Sequence, residues 1–261
     1  MSEQPDAEQP EHERPGTDQP DRERPDAGQP GPEGAERGPF APGGAPWAMQ
    51  LAVRDDRPHR PGHLAVCAAA GTAVVRLLAD PRAVAGPWTP YVRRWVDGRI
   101  RKVVRRGRGA PFAATGVLDH VEVADGPVVV RAFVPGPIDA VPRELAKLQV
   151  GGTDMPRDGE CWPPDGDRFL TVALNPEVTM TTGKAAAQTG HAAQLAWMAL
   201  QPPELAPVLA GWRAEGLAVQ VVVPRVQRWR RLLDRAPVAV QDAGFTEVEP
   251  GTLTAVACWR T

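Results

Sequence analysis

Lys184, Gln188 and His191 stand at i, i+4 and i+7 in GKAAAQTGHAAQLAWMAL (183–200), a run otherwise dominated by alanine. In a helix this spacing lines them up on one stripe of one face. The alanines between them, Ala185, Ala186, Ala187, Ala192 and Ala193, let a sheet or ligand come close. A lysine in the first turn opposes the helix dipole, which favours anions there by about 0.3–1 kcal/mol. The same positive end, reinforced by an amine, suits a phosphate or a developing oxyanion. Lys184 is also one of only three lysines, with Lys102 and Lys147, in a chain whose bases are otherwise arginine. Taken alone, the stripe is better explained by a solvated lysine and a satisfied core histidine.

A second segment, VQDAGFTEVEPGTLTAVACW (240–259), carries two turn signals, Asp242-Ala243-Gly244 and Pro250-Gly251, between apolar runs. They predict a tight excursion between two strands, with Asp242 and Thr246 at strand ends. Such positions let a rigid sheet hold catalytic groups. On spacing alone, an Asx turn at Asp242 and a plain strand threonine at Thr246 explain the pattern better.

Together, TGKAAAQTGHAA and QDAGFTEVEPGT resemble the type 2 peptidyl-tRNA hydrolase family. Its hallmark is a GKxAAQxxHA helix start followed further along by QDAGxTxxxPGTxT, and the likeness covers about 168–259. The resemblance implies a compact α/β fold and hydrolysis of the ester joining a peptide to the 3′ end of tRNA, with no cofactor and no metal. By motif position it implies catalytic roles for Lys184, Asp242 and Thr246, and substrate contacts for Gln188, His191 and Thr252. Thr181-Thr182 stands where members often carry a lysine before the GK pair. No Ser–His–Asp arrangement and no metal-ligand cluster stands out, so direct attack by water is expected. Asp242 and Thr246 would hold the water and Lys184 the oxyanion. The rival is a tRNA- or ribosome-binding protein that keeps the fold without turnover.

Strands are expected at 48–54 and 168–174, each followed by an alanine-rich helix, over 63–80 and 183–200. Thr182 is the expected N-cap of the second. Further helices are expected over 88–98, 142–150, 203–216 and 225–235. Further strands are expected over 100–106, 128–134 and 217–223, and in APVAVQD and TLTAVACW. Trp95, Trp197, Trp212 and Trp229 fall in helical patterns and are expected in the core. LAVR…GHLAVCAAAGTAVVRLL runs parallel with LTVA…GKAAAQTGHAAQLAWM, as does RRWVDG-RIRKVV with AGWRAEG-LAVQVV. The pattern predicts an internal duplication in an α/β fold with a mixed β-sheet and helices on both faces. The units are a degenerate one over 47–154, a linker over 155–167 and a hydrolase-like one over 168–261, making a single-chain pseudo-dimer.

The first unit places His63, Cys67 and Ala70 where the second has Lys184, Gln188 and His191. What it carries is charge, with eight bases between Arg93 and Arg108. Arg99, Arg101, Lys102, Arg105 and Arg106 are expected on an edge strand, either contacting tRNA phosphates or guarding the edge in solvent. Arg228, Arg230, Arg231 and Arg235 would extend that surface.

The chain has 261 residues, 30 bases and 32 acids, and its net charge of −2 conceals a split. Residues 1–46 hold 11 of the acids and four of the bases, leaving a net +5 on the remainder. Proline recurs every five residues from Pro5 to Pro30, and almost nothing apolar precedes Phe40. Such a tail cannot recover its ordering entropy and is expected to be disordered. No apolar run is long enough to cross a membrane, and the start MSEQPDAEQP lacks the pattern of a secretory signal. Three scattered cysteines suit a reducing cytoplasm better than a disulfide framework.

Overall fold

The computed structural model describes residues 45–57, 59–163, 168–243 and 247–260. The acidic tail expected over 1–46 falls, up to residue 44, outside the described residues. The first half opens with β1 (Trp47–Arg54), α1 (His63–Ala79), α2 (Pro81–Ala85) and α3 (Thr89–Val96). It continues with β2 (Arg101–Gly107), α4 (Gly109–Ala114), β3 (His120–Asp125), β4 (Val128–Phe133), β5 (Gly136–Pro137) and α5 (Arg143–Ala146). The second half holds β6 (Cys161–Trp162), β7 (Leu170–Leu174), α6 (Thr182–Ala199), α7 (Ala206–Ala214) and β8 (Val219–Val222). It ends with α8 (Val226–Leu233), β9 (Val238–Gln241) and β10 (Leu253–Trp259).

One sheet is ordered β2-β1-β4-β3, with β5 also on β1, and the other β6-β8-β7-β10-β9. In each, the strand before the long helix runs parallel to one neighbour, β1 with β2 and β7 with β8. Its other neighbour, β4 or β10, is antiparallel and pairs in turn with antiparallel β3 or β9. Setting aside β5 and β6, the two sheets share one order and one set of directions.

Alternation along the strands decides which layer each residue enters. Leu51, Val53 and Val130 from one sheet and Leu170, Val172 and Val221 from the other join α1 and α6 in a shared core. Their neighbours face outward: Ala52, Val129 and Phe133 meet Phe112 of α4 and Leu145 of α5. Ala173, Val222 and Val256 meet Trp229 of α8. Each sheet therefore has helices on both faces. Each central helix also reaches across, α1 onto β8 and α6 onto β2. That position buries every residue of α1 except Arg76 and Ala79.

The two central helices meet through glycine. A Cβ on Gly71 would lie 3.0 Å from Thr189 of α6 and 3.4 Å from Val219 of β8. A Cβ on Gly190 would lie 3.0 Å from the Lys102 stem of β2 and 3.2 Å from Val74 of α1. The contacts are reciprocal, since each helix offers a glycine to the other helix and to a strand of the other half, β8 for α1 and β2 for α6. The Val219 N–H donates to Thr72 Oγ1 at 3.1 Å in the same junction. Trp95 and Trp212 repeat one another as well: each fully buried indole donates at 2.9 Å to the carbonyl six residues on, of Arg101 and Ala218. Trp197 and Trp229 are also buried, as their helical positions predicted.

Some elements differ from the sequence expectation. The helix over 142–150 shrinks to α5, four residues long. β3 and α4 escaped the pattern: β3, at the sheet edge, has no fully buried residue, and α4 buries only Phe112. Residues 155–163, within the expected linker, make contacts with both halves. Cys161 and Trp162 pair with β8, and the Asp158 carboxylate caps α1 by accepting from Leu64 N at 2.7 Å and Ala65 N at 3.0 Å. Gly62 has no side chain because a Cβ there would collide with Asp158.

Gly71→Leu forces a branched side chain into the α1–α6 contact and should lower stability by about 1–3 kcal/mol. Urea denaturation reads this directly. An unchanged midpoint would mean the two helices do not pack at Gly71.

Candidate active site

α6 starts at the carboxyl end of β7, and β9, parallel to β7 through antiparallel β10, delivers Asp242 to the same edge. The helix N-cap is Thr181, whose Oγ1 accepts from Lys184 N at 3.3 Å. This corrects the sequence assignment of the cap to Thr182, whose hydroxyl is turned inward. Glu247, from the β9–β10 excursion, accepts from Thr181 N at 2.9 Å and Thr181 Oγ1 at 2.6 Å, fastening the excursion to the helix start.

Asp242 is held from both sides. Its N–H donates to Thr252 O at 2.9 Å, and its carbonyl accepts from Gly251 N at 2.8 Å. Gly251 has φ +83°, a conformation that glycine adopts without strain. The Asp242 carboxylate then receives two donors at Oδ2, Lys184 Nζ and Gln188 Nε2, each at 2.5 Å. The ion pair is largely out of solvent, with side chains 11% and 7% exposed. Such a pair resists separation, since removing one partner strands the other charge in a poor solvent. Gln188 Oε1 is buried with no hydrogen-bond donor among the described residues.

Of the residues singled out in the sequence, Lys184, Gln188 and Asp242 are therefore brought together. Thr246 lies outside the described residues. Thr252 sits at the far end of the excursion and donates its hydroxyl to Glu249 O at 2.7 Å. His191 lies further along the α6 stripe and faces Lys102 of β2, with Nδ1 at 3.2 Å from the ammonium. Burial, with the charges of Lys102 and Lys184, holds His191 well below the ordinary histidine pKa. Burial likewise lowers Lys102.

Two other basic residues of β2 point to internal partners. Arg105 donates to Gln50 Oε1 at 2.8 Å, and Arg106 pairs with Asp55 at 3.2 Å. Arg101 is half-buried and Arg99, just before the strand, is exposed.

A polar chain that the sequence did not reveal joins the two helix starts. Arg157 donates to His63 Nε2 at 2.8 Å, so the ring proton sits on Nδ1 and is donated to Thr182 Oγ1, also at 2.8 Å. The Thr182 hydroxyl accepts from Met155 N and donates to Asp154. Its only sequence signal was His63 standing opposite Lys184 in the repeat. Burial first, then the Arg157 charge, lower the His63 pKa to about 4.

Among the described residues, no three His, Cys, Asp or Glu side chains gather as a metal site requires. No described helix is long and apolar enough to cross a membrane.

The fold and site define an α/β protein with a lysine–carboxylate centre at a helix start. The family model described as peptidyl-tRNA hydrolase PTH2 matches residues 169–259. A peptidyl-tRNA hydrolase of Thermoplasma volcanium is 36% identical over 95 residues, covering 33% of this chain and 80% of that protein. The chain belongs to the PTH2 family, and the matched residues carry the whole Lys184–Gln188–Asp242 cluster.

His63 has a pH consequence. Its folded pKa of about 4 lies below the unfolded value near 6.5, so the unfolded chain binds the extra proton between them. The stability from neutral His63 is complete above about pH 6.5 and is lost as pH falls towards 4. His63→Gln should flatten the fall in Tm across that window. A fall identical to wild type would remove His63 from the acid response.

Proposed function

We propose that this chain hydrolyses the ester of peptidyl-tRNA at the Lys184–Gln188–Asp242 cluster. The observation that carries the proposal is the convergence of an ammonium and an amide on one buried carboxylate at the start of a helix. Asp242 takes a proton from the attacking water, which in this scheme donates its other hydrogen to the unfilled acceptor Gln188 Oε1. Asp242 then returns its proton to the tRNA 3′ oxygen as the ester C–O bond breaks. Lys184, already beside the carboxylate, faces the negative charge that grows on the ester carbonyl oxygen. The cationic first turn that weakens the helix in isolation then serves the transition state. Thr246, by motif position, completes the water's hydrogen bonds.

The first half acts as a scaffold in the place of a second copy. Its β3–β4 hairpin turns directly from Asp125 to Val128, leaving no excursion like the one from Asp242 to Thr252. Its helix start is already filled by Asp158.

The surface for tRNA phosphates is better supplied by α8 than by β2. Arg225, Arg228 and Arg231 are exposed and line a groove of about 760 Å³ beside Thr171 and Gln220. None of the three is ion-paired among the described residues, unlike Arg106. Arg225 follows the carboxyl end of β8, and Arg230, on α8 but outside the groove lining, reaches Glu177 in the β7–α6 loop.

Lys184→Ala and Asp242→Ala should each lower kcat for peptide release from peptidyl-tRNA by about 10²–10³. Aminoacyl-tRNA is the control substrate. Wild-type rates in both variants would overturn the assignment, and no release by the wild-type chain would favour a binding protein. For the groove, replacing Arg225, Arg228 and Arg231 by Gln should weaken tRNA binding. It should also flatten its dependence on log salt by about 0.7–0.9 per lost phosphate contact. Arg105→Gln should leave that slope unchanged, and a flatter slope in this variant alone would return the contact to β2.

A further inference from the structure

Lys102 belongs to the half of the chain that lies outside the family match, yet its side chain ends on the motif helix of the other half. The stem crosses α6 at Gly190, where a Cβ would lie 3.0 Å from Cδ and 3.2 Å from Cε. Glycine at that position is what lets a lysine pass. The ammonium then meets three acceptors: Gln194 Oε1 at 2.6 Å, His191 Nδ1 at 3.2 Å and Ile100 O at 3.5 Å. It also stands 4.8 Å from the centre of the Trp95 ring.

A charged Lys102 has three N–H donors and no acceptor, so its three acceptors satisfy it completely and oppose the burial that lowers its pKa. Two of the three are carbonyl oxygens, which can only accept. The third hydrogen goes to His191 Nδ1, which must then carry no proton, and the imidazole proton is confined to Nε2. Gln194 fits this arrangement, because its amide nitrogen turns away to the Met198 sulfur at 3.9 Å. A guanidinium spreads its five donors over a broad plane instead of gathering three around one atom, so arginine is a poor substitute here. This accounts for one of the three lysines in a chain whose other bases are arginine.

We infer that Lys102 is a positioning residue for peptidyl-tRNA binding: it fixes His191 as a neutral ring with a permanent Nε2–H donor on the Lys184–Gln188–His191 stripe. The hydrogen bond goes to an oxygen of the tRNA end of the substrate. The first half thus supplies part of the second half's substrate surface as well as supporting it. This inference rests on the proposed hydrolysis only for the identity of the substrate, because the tautomer is a property of the free protein.

The test begins with the ¹⁵N–¹H long-range correlation spectrum of the histidine rings at pH 7, with His191 assigned by His191→Gln. Wild type should show His191 protonated at Nε2 alone, and Lys102→Met should release the ring to a mixture of tautomers. In steady-state hydrolysis, Lys102→Met should raise KM about tenfold, with kcat within about twofold, an expected loss of about 1.4 kcal/mol. Lys102→Met combined with His191→Gln should be no worse than His191→Gln alone, because the lysine acts through the ring. An Nδ1–H ring or an imidazolium in the wild-type protein overturns the inference, and this result stands even if Lys102→Met fails to fold. An unchanged spectrum in Lys102→Met, or additive losses in the double variant, overturns it too. If the chain releases no peptide at all, the spectrum still decides the Lys102–His191 contact while the proposed activity falls separately.

Discussion

The close contact between α1 and α6 is the constraint on which the rest of the structure depends. Both helices lie in the core between two sheets, and glycine on each allows an approach that larger residues would block. Interiors are packed almost as densely as crystals, so a gap or a bulge here would propagate to both sheets. The contact also sets the helix starts side by side, where His63 and Thr182 bond directly. Moving one helix along the other would break that bond, the Val219–Thr72 bond and the Lys102–His191 contact together.

On that frame, the two halves treat their helix starts differently. A helix start presents unpaired N–H groups and partial positive charge, and something must answer both. In α1 the chain answers with its own Asp158, which leaves the end closed. In α6 the answer comes from the Asp154 carboxylate, the Thr153 carbonyl and the Thr181 hydroxyl, and a lysine is added to the first turn. Asp242 compensates that charge by an ion pair instead of filling the N–H groups. The difference between the two helix starts therefore rests on a few carboxylates and on the length of one hairpin.

Much of this was legible in the sequence because it is local. The i, i+4, i+7 stripe on 183–200, the excursion after Asp242 and the repeat of strand and alanine-rich helix all depend on short periodicities. These survive in any packing that buries the apolar side. Edge strand β3 and the short helix α4 escaped because neither carries a full period of buried residues. The cap was misplaced by one residue because Thr181 and Thr182 have equal chemistry, and only the neighbourhood of Asp154 and Met155 turns the second one inward.

By itself, the sequence determined the composition of the site: which side chains share one helix face, and which carboxylate ends the strand beside them. The tertiary structure alone decided where the basic residues of β2 point. By alternation Lys102 resembles its arginine neighbours, and nothing within the strand distinguishes a base that meets solvent from one that crosses a glycine to reach His191. That choice is made by an element 89 residues away in the chain. Local periodicity fixes the face a residue occupies, whereas the partner on that face is fixed by how the two halves pack.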